Sequence, residues 1–430
     1  MTRFDPSGPL RGRLRPPADK SISHRAALIA AMGEGETAIE GYLDSVDTRS
    51  ALAAVTALGA EIDKAAGAEI PPSIRIRGVG LRGAGPARVD VGNAGTLLRL
   101  LPGWLAGQEL GAWTLDGDDS IRRRPVDRIA EPLGLMGARL RCREDRLPPL
   151  EIEAAPLHGI DYELPVASAQ VKSCLLFAGL LAEGETRIAE LHPSRDHSER
   201  MLAAAGAEVS REGDAVTVRP AERLEIERVV VPADFSSAAF FIVAALLVGG
   251  SEVRLEGVGL NPTRTGLLTI LERMGAGIEV EPKGEEGGEP IGAIAARPAG
   301  LRGTEVSGAD VPLAIDELPL VALAACFAEG TTTIRDAAEL RRKESDRVAT
   351  VAEALTALGS KVEPTEDGMV IEGTGGLRGG TVDSHGDHRI AMLGAVAGLA
   401  SRDGVEVEGM DAAGVSYPGF EDDLRSLLGR

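Results

Sequence analysis

The sequence predicts an α/β fold in which one folding unit is repeated six times along the chain. Three features predict it. A turn phrase of the type Gly-Glu-Gly-x-Thr recurs before β-rich stretches, a glycine closes an amphipathic helix at intervals of roughly 70 residues, and each unit opens on a helix that is apolar nearly all round. A period that long describes a handful of folded units, not a stacked solenoid.

The turn reads GEGETAIEG from Gly33, AEGETRIAE from Ala182, GGSEVRLEG from Gly249 and AEGTTTIRD from Ala328, with weaker copies from Gly107 and Ser401. The helix-closing glycines are Gly59, Gly137, Gly206, Gly275, Gly359 and Gly429. The apolar helices are predicted near 23–32, 96–105, 169–181, 236–248, 317–328 and 388–399, and a helix without a polar face must be buried. The second helix of each unit is one-sided, as in TRSALAAVTALGA and SDRVATVAEALTALGS, and should lie half exposed. Short β-branched strands such as SIRIRG, AVTVRP, EVRLEG and TTIRD put a sheet against the buried helices. Duplication alone accounts for such repeats and carries no function with it.

Composition narrows the function classes. At 430 residues the chain suggests two or three domains, each large enough for its own core. Basic residues number 46 against 66 acidic, and the resulting net charge of −20 repels nucleic acid and anionic lipid, so neither is an expected partner. Cys142, Cys174 and Cys326 have no paired spacing, so neither a disulfide framework nor a thiolate metal site is indicated, and a reducing cytoplasm fits. The N-terminus lacks the apolar stretch of a secretory signal, and the most apolar run, 238–250, is too short to cross a bilayer. No motif points to a metal, a nucleotide or an organic cofactor.

Polar and basic residues collect where the buried helices begin. A helix N-terminus offers unpaired N–H groups and the positive end of the dipole, so Lys or Arg beside a glycine or serine there makes an anion site. PADKSISHR puts Lys20, Ser21 and Arg25 at the first opening; GNAGT puts Asn93, Gly95 and Thr96 at the second, with Arg99 a turn further in; VASAQVKS puts Ser168, Ala169, Gln170 and Lys172 at the third. Ser168 alone could be a simple N-cap. GDHRIAM places Arg389 at the entrance of an apolar helix, where it needs a partner, and an anionic ligand is one candidate. Between helices lie RRRPVDR with Arg124, SRDHSER with Arg195, and RRKESDR with Lys343, Glu344 and Arg347. The fifth unit opens on Asp316 and Glu317, which suit a helix dipole and also suit proton transfer among arginines.

Those segments, taken in chain order and followed by SYPGF, resemble the 5-enolpyruvylshikimate-3-phosphate synthase family over essentially the full length. The resemblance implies a two-lobed inside-out α/β barrel, the enolpyruvyl transferase fold, with six βαβαββ repeats, three per lobe. One lobe would be 19–234 and the other 1–18 plus 235–430, with the active site in the cleft between them. It implies transfer of the enolpyruvyl group of phosphoenolpyruvate to the 5-hydroxyl of shikimate 3-phosphate, releasing phosphate, in aromatic amino-acid biosynthesis. Partners would be those two substrates and the inhibitor glyphosate, the enzyme acting as a monomer.

Carried over by motif, shikimate 3-phosphate would meet Lys20, Ser21, Arg25, Ser168, Ala169, Gln170, Arg195, Asp316 and Lys343. Phosphoenolpyruvate would meet Lys20, Asn93, Gly95, Arg124, Gln170, Arg347 and Arg389. The catalytic set implied is Asp316 at the 5-hydroxyl, Glu344 at the methylene carbon, and Lys20. Two phosphates and two carboxylates must come together, and like charges about 4 Å apart repel by about 4 kcal/mol at an effective dielectric near 20, so compensating cations are required.

Three positions depart from the family pattern. Val415 precedes Ser416 where many members have lysine, Ala169 stands where many have a second serine, and Glu339 where some have asparagine, choices that resemble a branch containing glyphosate-tolerant forms. Gly95 leaves open the space that alanine fills in some tolerant enzymes, and predicts sensitivity. The rival of the same fold is the UDP-N-acetylglucosamine enolpyruvyl transferase, which typically has Lys-Asn where this chain has Lys20-Ser21, and often a cysteine where Asp119 stands. A non-catalytic phosphate-binding scaffold would have no purpose for Asp316 with Glu344, and the acidic net charge argues against an RNA-end-processing relative.

Overall fold

Asp19, Ser168, Asp234 and Asp387 each accept a hydrogen bond from a backbone N–H two or three residues further on, and each starts a helix that runs through the core. These helices are Lys20–Met32, Ala169–Gly179, Phe235–Leu247 and His388–Ala400; Gly95–Ala106 and Leu318–Phe327 complete the set without a side-chain cap. In Phe235–Leu247 every residue except Leu247 is buried. Side chains of the size of Phe240, Phe241 and Ile242 then contribute about 1.5–3 kcal/mol each through apolar burial.

The computed structural model describes residues 1–64 and 73–429. The first buried helix begins at Lys20, earlier than its apolar run suggests, because Asp19 caps it. The capped turn is polar, so periodicity does not report it. A short helix, Asp310–Ala314, precedes Leu318–Phe327, and Asp316 therefore sits at the joint between two helices. Arg347, expected between helices, is the first residue of the helix Arg347–Ala357, which buries Val348, Val351 and Leu355 and exposes Glu353.

The chain divides into two units, one of Ala18–Pro232 with Glu285–Glu289, the other of Met1–Pro17, Ala233–Gly284 and Pro290–Arg430. Each has its own apolar core, the first running from Ile22 to Val231, the second joining Phe4 and Leu10 to residues from Phe235 to Leu427.

In the first unit the described strands form three sheets of four, all of one pattern. Ala87–Asp90 lies parallel to Ala112–Asp116 with Gly95–Ala106 between them in sequence, and Leu147–Glu153 and Arg139–Arg143 follow antiparallel, which spells βαβαββ. Asp161–Leu164 opens a second such sheet beside Thr186–Glu190. The remaining sheet takes its opening strand from the far end of the unit, Arg228–Val230 beside Glu36–Glu40.

In the second unit the N-terminal segment serves two sheets. Arg11–Leu14 runs parallel to Glu252–Gly259, and Thr2–Phe4 runs antiparallel to Val405–Glu408. The six helix-closing glycines all adopt positive φ, from +67° at Gly429 to +108° at Gly59, a conformation that costs any other residue a Cβ clash. Among the described residues no helix is long and apolar enough to cross a membrane.

Candidate active site

In the first unit Lys20, at the first position of its helix, holds its ammonium 2.9 Å from the Asp47 carboxylate. One turn on, Arg25 is buried: Nε donates to Ser198 Oγ at 2.8 Å, Nη2 to Ser173 Oγ at 3.0 Å, and Nη1 to the Ser21 carbonyl at 3.1 Å. Burial lowers its pKa to about 10, with the neighbouring Glu199 carboxylate opposing that and the charge of Arg195 adding to it. His24, between them, is fully buried, and loss of solvation draws its pKa down to about 4. It is therefore a neutral imidazole at physiological pH.

A second group assembles around the start of Gly95–Ala106. Arg124 donates to Asn93 Oδ1 at 2.8 Å and Ser120 Oγ at 3.2 Å, and Asn93 in turn donates to Asp118 at 2.7 Å. Arg99 ties three segments together, donating to the Gly95 carbonyl, to the Pro125 carbonyl and to Gln170 Oε1 at 3.3–3.4 Å. Gln170 donates to Thr96 Oγ1 at 3.2 Å. A Cβ at Gly95 would stand 2.7 Å from Arg124 Nη1 and 3.2 Å from Arg99 Nη1, so the glycine is what lets two guanidinium groups crowd this helix start. Ser168 caps its helix through the Val171 N–H at 3.4 Å, and the Ala169 carbonyl accepts from Ser173 at 2.6 Å. Arg195 lies in the loop before the helix His197–Ala204.

The second unit gathers Asp316, Lys343, Glu344, Arg347 and Arg389 into one ion-paired cluster. Asp316 faces Lys343 at 3.2 Å, Arg347 at 3.3 Å and Arg389 at 3.9 Å, and Glu344 meets Arg347 at 2.6 Å. Arg347, with a side chain 1% exposed, also makes two bonds to Asp387, at 2.8 and 3.1 Å. Burial works against its charge, but Asp387, Glu344 and Asp316 outweigh that and hold its pKa above the ordinary arginine value. Arg389 donates to the Asp316 carbonyl at 2.8 Å, to Ser236 Oγ at 2.8 Å and to Glu317 at 3.3 Å. The partner that an arginine at a buried helix start requires is thus supplied by the protein itself.

The cluster extends to residues that sequence reasoning did not single out. Arg264 bonds Ser236 at 2.5 Å, Asp234 at 3.2 Å and Glu317 at 3.3 Å, and Ser236 also donates to Glu317. Asp47, Ser173 and Ser198 in the first unit were likewise unforeseen. Each sits in an ordinary-looking helix or loop, and only the fold brings it to its arginine.

The two halves differ in charge balance. Arg25 and Arg124 are held through neutral hydroxyl, carbonyl and amide oxygens, and among the described residues no carboxylate contacts either guanidinium directly. In the second unit Arg264, Lys343, Arg347 and Arg389 face Asp234, Asp316, Glu317, Glu344 and Asp387, so carboxylates outnumber cations by one. Buried guanidinium groups need that compensation. An incoming anion would have to take these cations over from carboxylates.

Residues 4–424 match the family model described as EPSP synthase (3-phosphoshikimate 1-carboxyvinyltransferase). The chain belongs to the EPSP synthase family. Relatives named 3-phosphoshikimate 1-carboxyvinyltransferase include one from Synechococcus sp., 51% identical over 99% of this chain and 96% of its own, and one from Thermus thermophilus, 51% identical over 99% and 98%. The EPSP synthase of Acinetobacter baumannii superposes with a TM-score of 0.86 at 41% identity, covering 99% of this chain and 97% of that one. The enolpyruvyl transferase NikO of Streptomyces tendae has a TM-score of 0.77 at 20% identity, which speaks for the fold alone. The fold is that of the enolpyruvyl transferases, and the six repeats read from the turn phrases are its six sheets.

Proposed function

We infer that the chain transfers the enolpyruvyl group of phosphoenolpyruvate to the 5-hydroxyl of shikimate 3-phosphate, giving 5-enolpyruvylshikimate 3-phosphate and phosphate. Full-length identity near 50% to transferases of that name supports the reaction. The observation that carries the chemistry is the grouping of Asp316 and Glu344, two carboxylates bound to the same arginine, at 3.3 and 2.6 Å. Addition of an alcohol across the double bond of an enol phosphate needs one group to give a proton and another to take one.

Lys20, Ser21, Arg25, Ser168, Ala169, Gln170, Arg195, Asp316 and Lys343 bind shikimate 3-phosphate, and Lys20, Asn93, Gly95, Arg124, Gln170, Arg347 and Arg389 bind phosphoenolpyruvate. Glu344, assisted by Lys20, gives a proton to the methylene carbon, and the 5-hydroxyl oxygen bonds to the electron-poor carbon beside it as Asp316 takes the hydroxyl proton. The tetrahedral intermediate then loses a methyl proton and its phosphate, which restores the double bond. Substrate anions draw Arg347 and Arg389 from their carboxylates, which leaves Asp316 and Glu344 more basic than when they are ion-paired.

Glyphosate inhibition, a monomeric state and action in the cytoplasm belong to the same proposal. Gly95 supports the first: it carries no side chain where a Cβ would stand 2.7 Å from Arg124 Nη1. The test compares acceptors: phosphate should be released from phosphoenolpyruvate with shikimate 3-phosphate and not with UDP-N-acetylglucosamine. The reverse preference would assign the chain to the rival reaction, and release with neither would leave a binding protein.

A further inference from the structure

Lys172 is fully buried in the helix Ala169–Gly179, and its ammonium has three partners: Glu190 Oε2 at 2.8 Å, Glu199 Oε1 at 2.7 Å and the Ser194 carbonyl at 3.2 Å. A buried ammonium is costly, and an apolar side chain of that length would fill the same space without the desolvation cost. The partners point to what the ion cluster does. Glu190 ends the strand Thr186–Glu190 and Glu199 lies in the helix His197–Ala204, so Lys172 grips both ends of the intervening segment.

Within that segment Glu190 accepts from the Ser194 N–H at 3.2 Å and from its hydroxyl, while Lys172 takes the Ser194 carbonyl. Ser194 is thereby held through backbone and side chain together, and the next residue is Arg195. At the other end, Ser198 precedes Glu199, and its hydroxyl accepts from Arg25 Nε at 2.8 Å and meets Ser173 Oγ at 2.6 Å. Burial raises the Glu199 pKa, and the Lys172 ammonium opposes that rise.

We propose that Lys172 is a positioning residue for the phosphate end of shikimate 3-phosphate. Through Glu190 and Ser194 it fixes Arg195, and through Glu199 it fixes Ser198 and with it the Arg25 guanidinium. The inference rests on the reading that Arg25 and Arg195 bind that substrate. It predicts a selective defect, because the groups around Arg124 and the second unit's carboxylates do not hang on this cluster.

The experiment measures both KM values and kcat for Lys172→Met and Glu190→Gln, with Phe177→Leu as a packing lesion in the same helix. Lys172→Met should raise the KM for shikimate 3-phosphate at least ten-fold while the KM for phosphoenolpyruvate and kcat stay within about three-fold. Glu190→Gln keeps a carbonyl for the Ser194 N–H, leaves the Lys172–Glu199 pair, and should show a smaller shift of the same selectivity. Phe177→Leu should lower thermal stability and move neither KM. A folded Lys172→Met enzyme with an unchanged shikimate 3-phosphate KM overturns the proposal, as does a parallel loss in all three constants. Loss of cooperative unfolding in both charge variants overturns it too, since the cluster would then hold the core and not a ligand. Wild-type protein that releases no phosphate with shikimate 3-phosphate would instead refute the assigned reaction.

Discussion

An alanine at position 95 would place its Cβ 2.7 Å from Arg124 Nη1 and 3.2 Å from Arg99 Nη1, closer than carbon and nitrogen tolerate. Both atoms are the ends of long side chains, so the guanidinium groups yield and the backbone does not. Gly95 is the first residue of its helix and its φ is not positive, so alanine fits the local backbone and favours the helix by up to about 1 kcal/mol. The Gly95→Ala protein should therefore fold with a melting temperature at or slightly above that of wild type. The cost falls on Arg124, whose bonds to Asn93 at 2.8 Å and Ser120 at 3.2 Å fix its aim. A hydrogen bond to a charged group is worth about 1.5–3 kcal/mol, so misdirecting this guanidinium should raise the phosphoenolpyruvate KM between about ten- and a hundred-fold. The assay is phosphate release at saturating shikimate 3-phosphate, run beside Arg124→Ala as the limit of complete loss. An unchanged phosphoenolpyruvate KM in a well-folded Gly95→Ala enzyme would take Arg124 out of that substrate's site.

Glu344→Gln removes the proposed proton donor but keeps an amide oxygen for Arg347, so turnover should drop by orders of magnitude while ligand affinity largely survives; near-normal turnover in a phosphate-release assay would exclude Glu344 from the mechanism. Asp387→Asn leaves a cap for the Arg389 N–H but unpairs the buried Arg347–Asp387 contact, and denaturant unfolding should register a loss of about 3–5 kcal/mol. His24 supplies a pH test. Its folded pKa of about 4 lies below the unfolded value of 6.5, so between those values the unfolded chain binds the extra proton and stability falls as pH falls. Lowering pH from 7 to 5 should remove about 2 kcal/mol through this group alone, and His24→Leu should abolish that part of the pH dependence. Identical pH slopes for the two proteins in urea unfolding would show that His24 is not held neutral.

Much of the fold was legible because its signals are local. Duplicated turn phrases and C-cap glycines mark each unit, and an all-apolar helix such as Phe235–Leu247 has no surface on which to lie. The candidate residues could be named for a different reason: they sit in ordered motifs at helix starts, as Lys20 and Gly95 do, or between helices, as Arg124 and Arg195 do. The clustering of Asp316, Lys343, Glu344, Arg347 and Arg389 agrees with reading them as one set. What the sequence hid is pairing across long separations. Arg264 meets Glu317 and Ser236, and Arg25 meets Ser173 and Ser198, through contacts that no periodicity encodes. Lys172 hid in plain sight, since in VASAQVKS it reads as one more basic residue near a helix start, and only the fold shows it buried between two carboxylates.

The proposed reaction adds a proton to the methylene carbon of phosphoenolpyruvate and later removes one. Running the reaction in deuterium oxide and reading the vinyl methylene of the product by NMR tests this most directly. Addition and elimination by these carboxylates predict deuterium in that methylene with wild-type enzyme and a sharp fall in its rate of appearance with Glu344→Gln. Product formed with its methylene hydrogens wholly retained from phosphoenolpyruvate would contradict it.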